Sequence, residues 1–215
     1  PGLHRQGPFR RHQLCRSDKN IGPCVVIGTV VALACTSVFP VGAQDVEVRQ
    51  EGRWRVWYTS PDLRAELVYH WAAGHLGDDW MILKLALAGG SRGVTPVARE
   101  NVRLRAPDGT MFDLPTQAEF QGVRGSMSMA FRQENVWGPP ASRFVGSLRR
   151  VEDWFFSPRG QTSHRETIYP SSFQYCSGPL VFQIPGGVQA GTWKLIIDLE
   201  EMRAEIPFVL DETES

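Results

Sequence analysis

Two histidines and two aspartates lie between positions 70 and 79, and they could in principle hold a divalent metal ion. His70 and His75 precede Asp78 and Asp79, and such ions accept imidazole nitrogens and carboxylate oxygens as ligands. Residues five positions apart, however, do not share a helix face. The spacing therefore favours a histidine at the end of a strand followed by a solvated loop, and we predict no metal or other cofactor.

Cys176 is the next residue that could do chemistry, because a thiol activated by a base such as His164 is a nucleophile. A lone cysteine beside a predicted strand is more typical of a small buried hydrophobic residue. The Ser-x-x-Lys, P-loop and dinucleotide-binding motifs are absent, and residues 89–93 are interpreted as a turn between strands. We therefore predict that the protein is not an enzyme.

Aromatic and basic residues are interleaved in the segment from 137 to 169. Tryptophan, tyrosine and arginine are the residue types that carry much of the binding energy at protein interfaces. Two alternatives are that the rings at 154–156 close one end of the hydrophobic core, and that exposed rings stack on a carbohydrate or another ligand. The predicted interface residues are Trp137, Phe144, Arg149, Arg150, Trp154, Phe155, Phe156, Arg159, Arg165 and Tyr169.

The elements that must position these residues show an alternation of apolar and polar residues with a period of two, which is typical of half-buried β-strands. Leu63 and Leu67 are apolar, for example, and Arg64 and Glu66 between them are charged. From 80 to 87 both faces are largely apolar, which predicts a central strand that is covered on both sides.

Turn residues and prolines separate these strands. The sequence Pro107-Asp108-Gly109-Thr110 predicts a hairpin turn, because proline presets φ and glycine accepts a positive φ. Strands are also predicted at 193–199 and 206–210, and Pro207 indicates that the last strand lies at an edge or has a bulge. The pattern predicts a mainly β fold, an immunoglobulin-like β-sandwich of about seven or eight antiparallel strands.

A long, partly helical excursion is predicted from 115 to 176, because the alternation is weak there. Thr116 and Glu119 have the spacing of a capping box, which predicts a short helix after Thr116. A second helix is predicted at 141–151. Insertions of this length in a compact domain are often functional.

The first 43 residues consist of a basic region followed by an apolar one. No charged residue occurs from 21 to 43, and five basic residues precede this run. That order, ending in the small residues of Val41-Gly42-Ala43, predicts an apolar signal helix that is cleaved after Ala43. The alternatives are an uncleaved membrane anchor, since a helix of this length reaches about 34 Å, and lipoprotein processing at Cys35.

Charge and targeting together predict the domain organisation. Residues 1–43 are a signal peptide or membrane anchor, and residues 44–215 are an extracytoplasmic β-sandwich domain, located in the periplasm or an equivalent compartment. The chain after position 43 has 18 basic and 22 acidic residues. Because nucleic acid requires a concentrated basic face, it is not an expected partner.

The sequence thus predicts an extracytoplasmic interaction or structural module. The expected partners are other proteins, such as the embedded subunits of a respiratory or photosynthetic membrane assembly. Residues 21–43 would also contact the membrane if they are not cleaved. The alternatives are a module that binds carbohydrate or cell-wall material and a metal-dependent hydrolase that uses the 70–79 turn.

Overall fold

The structure is a computed structural model that describes most of the chain from residue 46 to residue 212. The described residues are 46–91, 93–125, 127–136, 144, 146–157 and 164–212. The predicted signal or anchor helix lies outside them. Among the described residues, no helix is long and apolar enough to cross a membrane.

The chain is mainly β, as the alternation of apolar and polar residues predicts. The strands in the described residues are β1 (Glu47–Gln50), β2 (Arg55–Thr59), β3 (Leu63–Val68), β4 (Trp80–Gly89), β5 (Val97–Ala98), β6 (Val102–Arg105), β7 (Met111–Asp113), β8 (Arg149–Val151), β9 (Thr167–Ile168), β10 (Gln174–Gln183), β11 (Gly191–Asp198) and β12 (Arg203–Leu210). The helices are α1 (His70–Ala73), α2 (Gln117–Val123) and α3 (Ser128–Val136), and a 3₁₀ turn spans Arg99–Asn101.

These strands form two larger sheets and a small one. The six-stranded sheet has the order β1-β2-β3-β4-β10-β8, the four-stranded sheet has the order β12-β11-β6-β7, and β5 pairs with β9. All neighbours are antiparallel except β8 and β10, which are parallel. The prediction of antiparallel strands is therefore wrong for one pair. A parallel pair needs a long crossover connection, and the chain between β8 and β10 provides it.

Four of the strands are not predicted by the sequence pattern. β1, β5, β8 and β9 span only two to four residues each, which is too short for an alternation to be recognised. β8 also occupies the end of the segment 141–151, so the helix predicted there is wrong. Its residues pair with residues 174–176 instead, and such pairing outweighs the small energy differences between helix and strand propensities.

Side chains from the two larger sheets meet in one hydrophobic core. In β12, for example, every second residue is buried, so the period of two in the sequence corresponds to one buried face. Burying a leucine or isoleucine side chain stabilises a fold by about 1.5–3 kcal/mol. The fully buried members include Leu67, Leu85 and Leu180 from the six-stranded sheet and Leu104, Leu195 and Ile206 from the four-stranded sheet.

β4 is the central strand that the sequence predicts. It lies between β3 and β10, and all of its residues except Trp80 are buried. Leu83 and Leu85 point into the shared core. Ala86 and Ala88, on the opposite face of the sheet, join Trp57, Phe144 and Tyr175 in a second and smaller cluster.

Charged residues are also buried on this second face of the sheet. The alternation in β3 predicts that Glu66 faces solvent, but Glu66 is fully buried, so this expectation is wrong. Its carboxylate forms an ion pair with Arg55 at 3.1 Å. Lys84 on β4 is buried as well. A carboxylate is tolerated in such a position when it is paired, because the pairing offsets part of the desolvation cost.

The predicted hairpin and the predicted edge strand are both confirmed. β6 and β7 are antiparallel neighbours, and Gly109 in the turn between them has a φ of 93°. The Asp108 carboxylate accepts a hydrogen bond from the Thr110 N–H at 2.9 Å. Pro207 lies in β12, which is the edge strand of the four-stranded sheet.

The capping box at the start of α2 is also confirmed. The Glu119 N–H donates to the Thr116 hydroxyl at 3.2 Å, and the Thr116 N–H donates to the Glu119 carboxylate at 2.7 Å. These bonds to Thr116 lower the pKa of Glu119. The stability that the carboxylate adds is therefore present above its unfolded pKa and is lost as the pH falls through the folded pKa.

Replacing Thr116 by alanine should lower the free energy of unfolding by about 1 kcal/mol, because the helix loses its N-terminal cap. Urea unfolding of the full chain at neutral pH measures this loss. Thr116→Ser keeps the capping hydroxyl and is the matched control. An equal loss in the serine and alanine variants would contradict the prediction.

Candidate functional site

The predicted interface residues fall into three groups. Trp137 and Arg159 lie outside the described residues. The exposed members are Arg149, Arg150, Arg165 and Tyr169. The buried members are the other aromatic residues, Phe144, Trp154, Phe155 and Phe156. In the described part of the segment, most of the rings therefore serve packing, and the basic residues and one tyrosine are accessible.

Trp154 is an example of a ring in this segment that packs against the six-stranded sheet. Its indole N–H donates to the Pro179 carbonyl at 2.7 Å. Its ring lies over Gly178, where an added Cβ atom would come within 2.4 Å of a ring atom. Phe156 stacks on Phe120 of α2, with ring centroids 4.6 Å apart. The rings at 154–156 thus attach this part of the excursion to β10 and to α2, the helix near the start of the excursion.

Two rings remain on the surface at the turn that leads into β10. Tyr169 is 55% exposed and Phe173 is 82% exposed. The Arg149 N–H donates to the Phe173 carbonyl at 3.0 Å, which places the exposed arginines of β8 beside this turn. We call Arg149, Arg150, Tyr169 and Phe173 the aromatic–arginine patch. Phe173 is missing from the predicted set because it lies four residues beyond the interleaved segment.

Hydrogen bonds hold this turn in place. The Ser171 N–H donates to the Gln174 carbonyl at 3.0 Å, and the Phe173 N–H donates to the Ser171 hydroxyl at 3.3 Å. The Gln174 side chain donates to the Tyr169 carbonyl at 3.1 Å. Because the backbone of the turn is already ordered, a partner that binds there loses less conformational entropy than one that binds a flexible loop.

The aromatic–arginine patch is positively charged. Within the described part of the chain, neither Arg149 nor Arg150 forms an ion pair. Arg165 differs, because it pairs with Asp153 at 3.3 Å. A guanidinium group binds carboxylates with two parallel hydrogen bonds and stacks on aromatic rings. The patch can therefore bind a surface that combines carboxylates with apolar groups.

The histidines at 70–79 pack against tryptophans. His70 meets Trp54 edge to face, with centroids 4.4 Å apart, and burial is the main cause that lowers its pKa. His75 stacks on Trp71 at 3.4 Å, and its Nδ1 lies 2.8 Å from the Trp71 carbonyl oxygen. Among the described residues, no group of three or more His, Cys, Asp or Glu side chains is arranged to hold a metal ion.

Cys176 lies in β10 and is buried in the core. Burial raises the pKa of its thiol to about 11. Because the thiolate is the nucleophilic form, this environment makes the side chain unreactive near neutral pH. His164 forms a β-bridge with Trp154. The cysteine therefore has the packing role that its sequence context favours.

Residues 89–93 have the Gly-x-Ser-x-Gly spacing of a nucleophile elbow, in which a strand, a sharp turn and a helix together expose the serine. Here β4 ends at Gly89, and the next element is the short strand β5. The Ser91 hydroxyl donates to the Pro61 carbonyl at 3.3 Å. Ser91 thus lies between two strands and lacks the structural context of a nucleophile.

Two adjoining clefts of about 300 and 320 Å³ lie at the turn between β11 and β12. Carboxylates of Asp62, Asp198 and Glu200 are among the groups that line them. Asp198 is held by Arg103 and by Arg203. These ion pairs tie neighbouring strands together, so this carboxylate has a structural partner on each side.

Tryptophans exposed side by side in a groove would indicate carbohydrate binding, because sugar rings stack on them. Trp57, Trp71, Trp154 and Trp193 are buried. In the part of the chain that the structure describes, no tryptophan is fully exposed. The described surface thus offers no pair of fully exposed tryptophans.

The chain was compared with known proteins. No protein-family model, no curated protein and no solved structure matches it. The exposure, hydrogen bonds and charge of the aromatic–arginine patch therefore define the candidate site.

Trp154→Ala should destabilise the protein strongly and Phe173→Ala hardly at all, although each removes an aromatic ring. We expect Trp154→Ala to lower the free energy of unfolding by about 3–5 kcal/mol, because it leaves a cavity over Gly178. Phe173→Ala should change it by less than about 0.5 kcal/mol, because the ring lies in solvent. Urea unfolding of both variants measures the difference, and a similar loss in the two would contradict the burial described here.

The thiol of Cys176 should resist alkylation in the folded protein. After brief treatment of the native full chain with iodoacetamide at pH 8, we expect the peptide that contains Cys176 to be mostly unmodified. The same treatment in urea should modify it fully, because unfolding exposes the thiol and restores its ordinary pKa. Peptide mass spectrometry measures the alkylated fraction of the Cys176 peptide in both samples. Equal fractions would show that the thiol is accessible in the folded protein.

Proposed function

We propose that the protein is a non-catalytic interaction module that binds another protein through the aromatic–arginine patch. One observation carries the proposal: Phe173 is 82% exposed in a hydrogen-bonded turn beside two arginines that form no ion pair in the described residues. Tyrosine and arginine are the types enriched at the energetic centres of interfaces. The exposed surface of the predicted segment combines both.

The chemistry of the patch specifies the kind of partner. Phe173 fits an apolar recess, because moving its ring out of water is favourable. Successive residues of a strand point to opposite faces, so Arg149 and Arg150 would pair with carboxylates on the two sides of that recess. Such pairs give orientation and raise the association rate. The partner we propose is therefore a protein with an apolar recess and an acidic rim.

The proposed setting is the outer side of a membrane. Residues 1–43 combine a basic region with a charge-free apolar run, and this order supports export or membrane tethering. In this proposal the body is an extrinsic or tethered subunit of a membrane assembly, of which respiratory and photosynthetic complexes are examples. The two larger sheets and their shared core support an immunoglobulin-like β-sandwich as its architecture.

Affinity purification of the full chain from detergent-solubilised membranes, followed by mass spectrometry, identifies the partner. Titration of that partner against variants then tests the patch. We expect Phe173→Ala and Arg150→Ala each to weaken binding about tenfold or more, because the first removes a large aromatic ring from the interface and the second an arginine, both types enriched in interfaces. Rising salt should weaken the wild-type complex as it screens the arginines.

Two matched variants control for the loss of an exposed apolar group and an exposed charge. Val209→Ala removes an exposed apolar side chain from β12, and Arg132→Ala removes an exposed charge from α3. Both should bind like the wild type. If Phe173→Ala binds as tightly as Val209→Ala, the patch is not the binding surface. If the affinity purification recovers the full chain without another protein, this result counts against the proposal that the chain is an interaction module.

A further inference from the structure

β1 lies at the opposite edge of the six-stranded sheet from β8. It pairs with β2 on one side, and all four of its residues are exposed. Val46, just before the strand, and Val48 within it are exposed apolar residues. A strand at an edge presents a row of backbone N–H and C=O groups that can pair with another strand.

The other edges of the two larger sheets have features that disfavour such pairing. β7 and β8 are three residues long, and β12 contains Pro207, which cannot donate to a ladder. β1 has no proline and no bulge relative to β2. Of these edges in the described residues, β1 is therefore the one best suited to accept another strand.

The backbone of β1 is also held in its extended conformation at its C-terminal end. The Gln50 side-chain amide donates to the carbonyls of Gly52 and Arg53, at 3.1 and 3.2 Å. It donates to the Tyr69 hydroxyl as well, at 2.9 Å. These contacts anchor the end of the strand to Tyr69, which follows β3, and to the turn that contains Gly52 and Arg53. Little ordering therefore remains when a second strand is added.

The charges of β1 are self-complementary. Glu47 and Arg49 are two residues apart and lie on the same face of the sheet, on either side of Val48. Within the described residues, neither of them forms an ion pair. When two copies of this strand run antiparallel with Val48 facing Val48, each Glu47 stands opposite the Arg49 of the other copy.

Symmetry leaves few other registers. A two-fold axis perpendicular to the sheet keeps each residue on its own face, so the register can shift only by two residues at a time. A shift in one direction would place Glu47 opposite Glu47, and a shift in the other would place Arg49 opposite Arg49. Like charges directly opposite one another destabilise a strand pair. The charge pattern therefore selects the register centred on Val48.

We propose that the protein forms a homodimer in which the β1 strands of two copies pair antiparallel, centred on Val48, and join the two six-stranded sheets into one continuous sheet. The partner is a second copy of this chain, because the charge pattern complements itself. The surface is distinct from the aromatic–arginine patch, which lies at the β8 edge. A single short strand pair buries less area than a standard interface, so the dimer is weak and forms at high local concentration.

Charge reversal provides a reciprocal test. In the dimer, position 47 of each copy faces position 49 of the other. In Glu47→Arg both of these positions carry a cation, and in Arg49→Glu both carry an anion. Each variant alone should dissociate about tenfold or more readily than the wild type, since both symmetric pairs change from attractive to repulsive. An equimolar mixture of the two variants should regain dimers at the wild-type level, because each cation then faces an anion.

Sedimentation velocity of the full chain over a range of concentrations, in the same detergent throughout, measures these equilibria. Glu100→Arg and Arg132→Glu reverse exposed charges away from β1 and should behave like the wild type. Regained dimers in the mixture also show that both variants are folded. A monomer at every concentration, dimers that charge reversal does not affect, or a mixture that stays monomeric would each overturn the proposal.

The dimer and the proposed partner binding can fail independently. Phe173→Ala should leave the dimer unchanged, because the ring lies at the far edge of the sheet. Loss of the dimer in Phe173→Ala, with β1 variants that still associate, would place self-association at the aromatic–arginine patch and refute the β1 register.

Discussion

The burial of both faces of β4 is the constraint on which the rest of the structure depends. A strand can be covered on both faces only when another layer lies on each side of its sheet. The four-stranded sheet covers one face, and the cluster that contains Phe144 and Tyr175 covers the other. Phe144 comes from the excursion. The excursion is therefore needed to complete the fold, whatever else it does.

This double role explains why the aromatic residues of the excursion divide into two sets. Rings that attach the excursion to the sheet, such as Trp154, are buried and find a hydrogen-bond partner or a stacked ring. Rings at the turn before β10 lie beyond the edge of the core and remain in water. The packing of the buried rings also fixes the position of the exposed rings, because a backbone hydrogen bond joins β8 to the turn that carries them.

The sequence predicts the elements whose signals are local. The alternation in β3, the apolar run of β4, the turn at Gly109 and the capping box at Thr116 each depend on residues close together in the chain, and all are present. β8 is different, because its strand conformation depends on pairing with residues 174–176. No window around Arg149 contains that information.

Burial of individual aromatic residues is also a long-range property. Phe155 and Phe173 have identical side chains, yet one is in the core and the other is in solvent. Composition predicts that the segment from 137 to 169 is rich in interface-type residues. Composition does not distinguish rings that face β10 from rings that face outward. The direction of each ring depends on where the chain between β8 and β10 returns to the sheet. The buried Glu66 escapes prediction for the same reason, since its cover comes from elsewhere in the chain.

The parallel pairing of β8 with β10 also affects the order of folding. The hairpins at β6–β7 and β11–β12 form between near neighbours in the chain, whereas β8 must wait until residues 174–176 are in place, and closing such a loop costs entropy before its contacts form. The arginines of β8 and the ring at 173 come together only when that crossover has closed. A chain that is still emerging from the ribosome, or one that has stalled in a partly folded state, thus does not display the complete patch. Recognition through it would be confined to molecules that have finished folding.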